Sequence, residues 1–225
     1  MEIKLWSNPK IQYETKMSRR GNIEKCSKPV TYDFKPGVTM LIGSNGTGKS
    51  TLLKQLNSLF KERNWNQIPD NDNIRDKYYC YSYDNVYEEK FAKDSWIHSD
   101  MKIDRIAATF CNSEGQDMYD YLYYKIADIG KAVRYARSKE YNGIFILFDG
   151  LDSGLSLDRL EEIKRKVLDF MVREESKNGE FEVYIVCAAN SFEFCSGYDC
   201  IDVTNQEHYY FDQYWEFRRH FIKED

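Results

Sequence analysis

Hydrophobic and polar residues alternate along the chain in two patterns that predict a layered fold of strands and helices. Almost wholly apolar runs, typical of strands buried on both faces, lie at residues 38–42, 144–148 and 183–187. Apolar residues at helical spacing lie between or beside these runs, at residues 52–60, 115–139 and 157–175. Strands that alternate with helices in this way predict an α/β fold with a mostly parallel sheet and flanking helices.

The first part of the chain has a different pattern. Residues 1–42 combine alternating stretches with turns, so we expect N-terminal antiparallel strands, one of them over 30–34. Residues 61–75 are polar and rich in Asn and Asp, which predicts a surface loop, and residues 78–82 predict a further strand.

A small helical subdomain is expected at about 85–140, inside the segment that separates the predicted strands 78–82 and 144–148. Near the C-terminus, residues 201–203 predict a short edge strand and residues 211–222 an aromatic-rich helix. No internal repeat or low-complexity linker divides the 225 residues, so we expect a single domain over 1–225.

Composition and charge limit the classes of function. The net charge of −5 gives little support to nucleic-acid binding, although a local basic patch remains at Arg218, Arg219 and His220, which we interpret as a solvated helix face. No apolar run approaches the roughly 18 residues of a membrane span, so we expect no membrane insertion. Six cysteines without a CxxC pair argue against a zinc site and indicate a reduced, cytoplasmic protein.

The most specific motif follows the predicted strand 38–42 and precedes a predicted helix. It matches the pattern G-x-x-x-x-G-K-[ST] and consists of Gly43, Ser44, Asn45, Gly46, Thr47, Gly48, Lys49, Ser50 and Thr51. Glycines let consecutive N–H groups turn inward around an anion, and the following helix directs its positive end at it. We expect Lys49 to neutralise the β- and γ-phosphates of a nucleotide and the Ser50 hydroxyl to bind Mg²⁺.

A second acidic position follows the apolar run 144–148. Enzymes with such a loop need another Mg²⁺ anchor at the end of a neighbouring strand, and Asp149 fits that role. The alternative is a plain strand followed by an Asp149-Gly150 turn. With the phosphate loop present, we favour the metal-binding interpretation.

Three stretches together resemble the ABC-type ATPases. The loop is similar to their G-x-N-G-x-G-K-S-T, and residues 113–116 (SEGQ) resemble a degenerate form of their LSGGQ signature. Residues 149–156 (DGLDSGLS) resemble the SMC-type run DEVDAALD more than the transporter run DEPTSALD, and Asp152 decides this comparison. No sustained heptads separate the loop from the signature, so the chain resembles an SMC, RecF or RecN head without its coiled-coil arm. Mobile genetic elements such as phages often carry compact heads like this, so the resemblance allows a phage origin for the chain.

The resemblance implies ATP as the ligand, Mg²⁺ as the cofactor, and an ATP-dependent homodimer. In that family two heads enclose two ATP molecules, so Ser113 and Gly115 would act on the nucleotide of the partner. A simpler interpretation of Ser113 is a helix N-cap, and the two roles are compatible.

Three departures from the family pattern indicate weak hydrolysis. The glutamate that should follow the Walker B aspartate is replaced by Gly150, and Asn190 stands where a histidine should contact the γ-phosphate. The expected glutamine is missing near residues 83–84. The candidates for catalysis are therefore Lys49, Asn190 and Asp152, the last either as a substitute base or, as we favour, as the residue that shapes a dimer-facing turn.

The function implied is an ATP-dependent switch or slow ATP hydrolase of the DNA-repair and recombination branch, or of phage–host conflict. Alternatives are a transporter nucleotide-binding subunit, a P-loop kinase or nucleotide hydrolase of another branch, and a non-catalytic interaction module stabilised by ATP. A protein partner or a nucleic acid could be the effector.

Overall fold

A computed structural model describes residues 1–6, 29–61, 74–84, 126, 128–152, 155–175, 179 and 181–222. The strands are β1 (Glu2–Trp6), β2 (Pro29–Asp33), β3 (Gly37–Ile42), β4 (Tyr78–Asp84), β5 (Gly143–Asp149), β6 (Glu182–Ala188), β7 (Asp199–Asp202) and β8 (His208–Tyr209). The helices are α1 (Lys49–Phe60), α2 (Ile74–Lys77), α3 (residues 128–138), α4 (Leu157–Ile163), α5 (Phe170–Glu175), α6 (Phe192–Cys195) and α7 (Tyr214–Phe221). The three predicted apolar runs all form strands.

Six strands form one sheet in the order β4-β5-β6-β3-β7-β8, in which only β8 is antiparallel to its neighbour. Strands β1 and β2 form a separate antiparallel pair. The α/β class and the antiparallel N-terminal strands are confirmed, and the architecture is compatible with a P-loop nucleotide hydrolase. The edge position predicted for residues 201–203 is wrong, because the chain turns after β7 and returns as β8, which occupies the edge.

The sheet is the middle of three layers. Along β5, Phe145 and Leu147 pack with the leucines of α1 and with the β1-β2 pair. Ile144, Ile146 and Phe148 alternate to the other face, where α3, α4 and α7 cover them. Both faces of the central strands are therefore buried, as their unbroken apolar sequence predicts.

Several helix boundaries differ from the prediction. The predicted helix 157–175 is helical throughout, but Lys164–Asp169 is a π-helical stretch between α4 and α5. The C-terminal helix begins at Tyr214 rather than at 211, because Gln213 and Glu216 form a capping box that fixes its start. Ile74 is buried in α2, so the end of the predicted loop 61–75 is helical.

The described part of the predicted helix 115–139 is α3, which ends in a turn at residues 139–140. Most of the proposed helical subdomain at 85–140 lies outside the described residues.

Candidate functional site

The carboxyl ends of four parallel strands meet at one edge of the sheet. Gly43 follows β3, Asp149 ends β5, Asn190 follows β6 and Asp202 ends β7. Strand β6 lies between β3 and β5, so the carboxyl end of β6 lies between the strand that leads into the glycine loop and the strand that ends at Asp149. In open α/β sheets this edge is where ligands bind.

The glycine loop has a backbone that side chains would disturb. Gly43, Gly46 and Gly48 have φ angles of 150°, 81° and 108°, a region that L-residues avoid. A Cβ atom on Gly43 would lie 2.6 Å from Thr47 Oγ1 and 3.1 Å from Val203 Cγ2. The loop is closed by Thr47, whose N–H and hydroxyl both donate to the Ser44 carbonyl oxygen, at 3.1 and 2.8 Å. The sequence motif therefore forms a tight turn at the start of α1.

Lys49 is the first residue of α1 and points back over the loop. Its Nζ donates to the Gly43 carbonyl oxygen at 2.6 Å, and the residue is only 7% exposed. Burial lowers the pKa of Lys49, while the carboxylates of Asp152 and Asp149 partly oppose this shift. Burial in the loop thus removes water from the Lys49 amine, and a bound anion would offset the loss of that hydration.

Ser50 and Asp149, the two predicted Mg²⁺ ligands, are brought together. The Ser50 hydroxyl donates to Asp149 Oδ1 at 3.0 Å, although 99 positions separate the two residues in the chain. Hydroxyl and carboxylate oxygens are hard ligands of the kind that Mg²⁺ prefers. The donor set fits the predicted cation.

Asp152 lies in the turn after β5, beyond Gly150, whose φ is 79°. Its Oδ2 accepts hydrogen bonds from the backbone N–H groups of Asn190 at 2.6 Å and Ser191 at 3.0 Å. Its Oδ1 accepts from Asn190 Nδ2 at 3.2 Å. Two residues predicted separately as catalytic candidates are therefore directly bonded to each other.

A buried Asp202–His220 pair beside the loop was missed by sequence reasoning. Asp202 is 6% exposed, and its Oδ2 lies 2.6 Å from His220 Nε2. Its Oδ1 accepts from the backbone N–H and the hydroxyl of Thr204, at 2.7 and 2.6 Å. The pair anchors α7 to the end of β7. This strand end adjoins the loop, because the Cγ2 atom of the next residue, Val203, lies 3.1 Å from where a Cβ atom on Gly43 would be.

The interpretation of His220 as part of a solvated helix face is wrong. Its side chain is 15% exposed and its ring packs on Tyr209, with centroids 4.2 Å apart. The signal was present in the sequence: His220 lies three positions after Phe217, which faces the core, and residues three apart share a helix face. Arg218 and Arg219 are exposed, as predicted.

The remaining predicted site residues divide into two groups. Ser44, Asn45, Gly46, Thr47, Gly48 and Thr51 all lie in the loop or in the first turn of α1. Ser113 and Gly115 lie outside the described residues, so their proposed action in trans stays a prediction. Asp84, at the position where the family glutamine is missing, pairs in register with Asp149 across β4 and β5.

Comparisons with known proteins give short local matches. A protein of Pyrococcus abyssi, provisionally named an ABC transporter ATP-binding protein, is 42% identical over 50 residues, which are 22% of this chain and 19% of that protein. A Pyrococcus horikoshii protein with the same provisional description is 37% identical over 49 residues, again 22% of this chain and 19% of the relative.

The chain thus matches only about a fifth of the length of these curated relatives, and no protein-family model matches it. Within the described residues, none of the helices has the length and apolar character needed to cross a membrane. The local matches support an ABC-type ATP-binding relationship, in agreement with the phosphate-loop geometry.

Proposed function

We propose that this protein is an ABC-type nucleotide switch that binds ATP with Mg²⁺, pairs head to head with a second copy, and hydrolyses ATP slowly. The observation that carries the proposal is the joining of Lys49, Ser50 and Asp149 around one glycine loop. An ammonium group, a hydroxyl and a carboxylate are the groups that a triphosphate and its cation require.

Each group has a defined part in binding. Main-chain N–H groups of the loop and of the first turn of α1 surround the phosphates, and Lys49 neutralises their negative charge. Ser50 and Asp149 hold the cation, which when bound neutralises charge on the phosphate oxygens. The separation of Ser50 Oγ and Asp149 Oδ1, 3.0 Å, supports a single ion held by both residues.

Slow turnover is supported at the end of β5. Gly150 has no side chain to activate water, and loss of a positioned general base removes about 10²–10⁴-fold in rate. The Asp152 carboxylate accepts hydrogen bonds from Asn190 and Ser191, so a water molecule would have to compete with them for its oxygens. This arrangement supports the turn-shaping role of Asp152 over the role of substitute base.

The dimer is part of the proposal because Ser113 and Gly115 would complete the site of a partner. Resemblance of residues 149–156 to the SMC run favours DNA repair, recombination or phage–host conflict as the setting, with a protein or nucleic-acid effector. Nucleotide-dependent association would then convert ATP binding into a change of assembly.

The test is isothermal calorimetry with ATP and Mg²⁺, together with light scattering. We expect Lys49→Ala to weaken ATP binding at least about tenfold, since a charge-assisted hydrogen bond contributes about 1.5–3 kcal/mol. The matched control is Lys54→Ala, which removes an exposed lysine farther along α1. A wild-type chain that shows no heat with ATP and Mg²⁺ contradicts the proposal. A dimer whose dissociation is the same with and without ATP also contradicts it.

A second candidate is the ATP-binding subunit of a transporter, which the names of the two Pyrococcus proteins favour. Such a subunit would associate with a membrane-spanning partner. Purification from native membranes distinguishes the candidates: stable recovery with an integral membrane protein supports the transporter, and ATP-dependent self-association alone supports the switch.

A further inference from the structure

The carboxylate of Asp202 is a buried charge at the end of β7. The residue is 6% exposed and lies between Ile201 and Val203, which are both buried. A buried carboxylate costs free energy unless hydrogen bonds satisfy its oxygens. Thr204, two positions along the chain, donates two of these bonds to Oδ1. The contact with Oδ2 comes from a different element, because His220 belongs to α7 and lies 18 positions away in the chain.

Val203 joins this strand end to the glycine loop. Its N–H donates to the Ile42 carbonyl oxygen at 3.1 Å, and Ile42 directly precedes Gly43. The Gly43 carbonyl oxygen in turn accepts from Lys49 Nζ at 2.6 Å. The negative charge of Asp202 also acts on the Lys49 ammonium. A shift of Asp202 would therefore reach both the backbone of the loop and its ammonium group.

Helix α7 is short and has few buried side chains. Among its eight residues, only Phe217 is buried, while Tyr214 and Trp215 are 58% and 57% exposed. Isolated helices shorter than about 12–15 residues are marginal in water, so α7 depends on contacts with the rest of the protein. His220 supplies such contacts through its bond to the buried carboxylate and through its ring, which packs on Tyr209. Helix α7 therefore has the features of an element that can detach while the sheet stays intact.

We propose that Asp202 and His220 are positioning residues whose contact makes docking of α7 and ATP binding at the glycine loop favour each other. With α7 docked, His220 holds the carboxylate, and the end of β7 supports the loop in the shape that binds phosphate. With α7 detached, the buried carboxylate loses a hydrogen bond, and the adjoining strand end has to rearrange. Coupling between two sites is reciprocal, so ATP also favours the docked helix. This inference rests on the proposed nucleotide-binding function.

The alternative is that the pair only stabilises the folded chain. Loss of the His220 contact would then lower the melting temperature and leave the ATP affinity of the folded protein unchanged. Coupling instead predicts a weaker ATP affinity in the folded variant and slower hydrogen exchange in α7 when ATP is bound. These two measurements separate the roles, because a purely structural contact changes neither of them.

The first experiment measures Kd for ATP with Mg²⁺ by calorimetry, at a temperature at which circular dichroism shows each variant to be folded. We expect His220→Ala to weaken ATP binding about five- to tenfold, within the range typical of coupling between two sites. His220→Gln should keep most of the affinity, because its amide N–H can still donate to Asp202. The matched control is His208→Ala, which breaks a second histidine–aspartate contact, with Asp199 at the amino end of β7. Its ATP affinity should equal that of the wild type.

The second experiment measures hydrogen exchange of the wild type with and without ATP and Mg²⁺. ATP should slow exchange at residues 217–221 of α7 at least about fivefold. The reference is α5, whose Met171 packs in the same core cluster as Phe217, and exchange in α5 should stay unchanged. This measurement needs no variant, so it tests the inference even if His220→Ala fails to fold.

An ATP affinity in folded His220→Ala equal to that of the wild type would overturn the inference. Exchange in α7 that ATP leaves unchanged, or slows no more than in α5, would also overturn it. The same holds if His208→Ala or His220→Gln loses as much affinity as His220→Ala. In each of these cases the proposed function stands, whereas a wild-type chain that binds no ATP refutes the proposed function itself.

Discussion

Two polar clusters lie at opposite edges of the same sheet and differ in how their groups are used. The amino-edge cluster consists of Tyr78, Glu182 and Tyr184, and both tyrosine hydroxyls donate to Glu182 Oε2, at 2.6 and 2.8 Å. The carboxyl-edge cluster consists of Lys49, Ser50, Asp149, Asp152 and Asn190. In the first cluster, two hydroxyl donors satisfy one carboxylate. In the second, charged side chains surround a loop whose glycines have positive φ angles.

The difference separates stabilisation of the fold from binding. At the amino edge, aromatic packing supports the hydrogen bonds: the rings of Phe145 and Tyr184 stack 4.5 Å apart and at 4°. At the carboxyl edge, Asp149 and Asp152 both act on the single ammonium of Lys49. Carboxylates that gather in this way repel one another, and a bound cation offsets the repulsion. We therefore expect substitutions at the first edge to change stability and those at the second to change nucleotide affinity.

The largest expected effect is at Gly43. Gly43→Val should reduce ATP affinity by at least about a hundredfold, because the new side chain meets Thr47 and Val203 and strains the loop backbone. Calorimetry measures this loss. Gly197→Ala is the control, since its φ of +83° imposes similar strain but its Cβ meets nothing within 4 Å. Wild-type affinity in the Gly43→Val variant would break the comparison.

At the amino edge, Gly143→Ala should lower the free energy of unfolding by about 3 kcal/mol, an overpacking cost. The added Cβ would lie 2.2 Å from the Glu182 carbonyl oxygen, which is backbone and cannot turn away. Urea denaturation measures the change. The control Gly130→Ala lies in α3, where the nearest atom is Arg134 Nη1 at 3.5 Å, and it should be neutral or slightly stabilising. A Gly143→Ala variant as stable as the wild type contradicts the close approach of Gly143 to the Glu182 backbone.

Ser50→Ala sharpens the assignment of the cation site. We expect the Mg²⁺-dependent part of ATP affinity to fall about tenfold, because one oxygen ligand is lost. Titrations of the variant and the wild type with and without Mg²⁺ measure this loss. The difference in ATP affinity between the two proteins should vanish in EDTA. Ser58→Ala, which removes a hydroxyl bonded to the Lys54 carbonyl on the same helix, is the control. An equal loss with and without Mg²⁺ would mean that Ser50 does not bind the ion.

Tyr184→Phe should lower the free energy of unfolding by about 1 kcal/mol, the net value of one hydrogen bond. The affinity for ATP should stay unchanged, because the amino-edge cluster is at the far side of the sheet. Chemical denaturation and calorimetry measure the two quantities. Tyr135→Phe, at an exposed tyrosine, is the control. A change in ATP affinity without a change in stability would reverse the roles of the two edges.

The last expected effect is confined to alkaline solution, where the protein loses stability. Burial and the hydrogen bond to Glu182 raise the pKa of Tyr78 from 10.0 to about 12. A raised pKa in the folded state contributes stability that is present below pH 10 and is lost as pH rises towards 12. Denaturation at pH 9 to 12 should therefore show a steeper decline for the wild type than for Tyr78→Phe. If the stabilities of the two proteins decline in parallel, Tyr78 is not the cause of the loss of stability at high pH.

Local sequence pattern was sufficient for the central strands and for the loop. An unbroken apolar run such as 144–148 has few alternatives to a strand buried on both faces, and the position of Asp149 at its end follows directly. The approach of Ser50 to Asp149 was also predictable, because parallel strands bring their carboxyl ends to one edge.

Pairings set by distant turns were not predictable in the same way. The interior position of β7 depends on the turn that leads into β8, and the Asp202–His220 pair depends on the packing of α7 after that turn. Asp152 and Asn190 were each recognised as candidates, but their contact depends on how two separate strand-end turns are packed. Residue type indicated the chemistry, and tertiary packing decided which groups meet.

The φ of 79° at Gly150 constrains how this protein could change. A glutamate at that position would carry its side chain on a backbone that costs roughly 1 kcal/mol or more for any residue with a Cβ atom. A single substitution of glutamate for Gly150 would therefore be a poor route from the proposed slow hydrolysis to rapid hydrolysis. Under the proposed function, a lineage in which turnover became fast would first have to remodel this bend, and a lineage that keeps the bend would keep its ATP-bound state for longer.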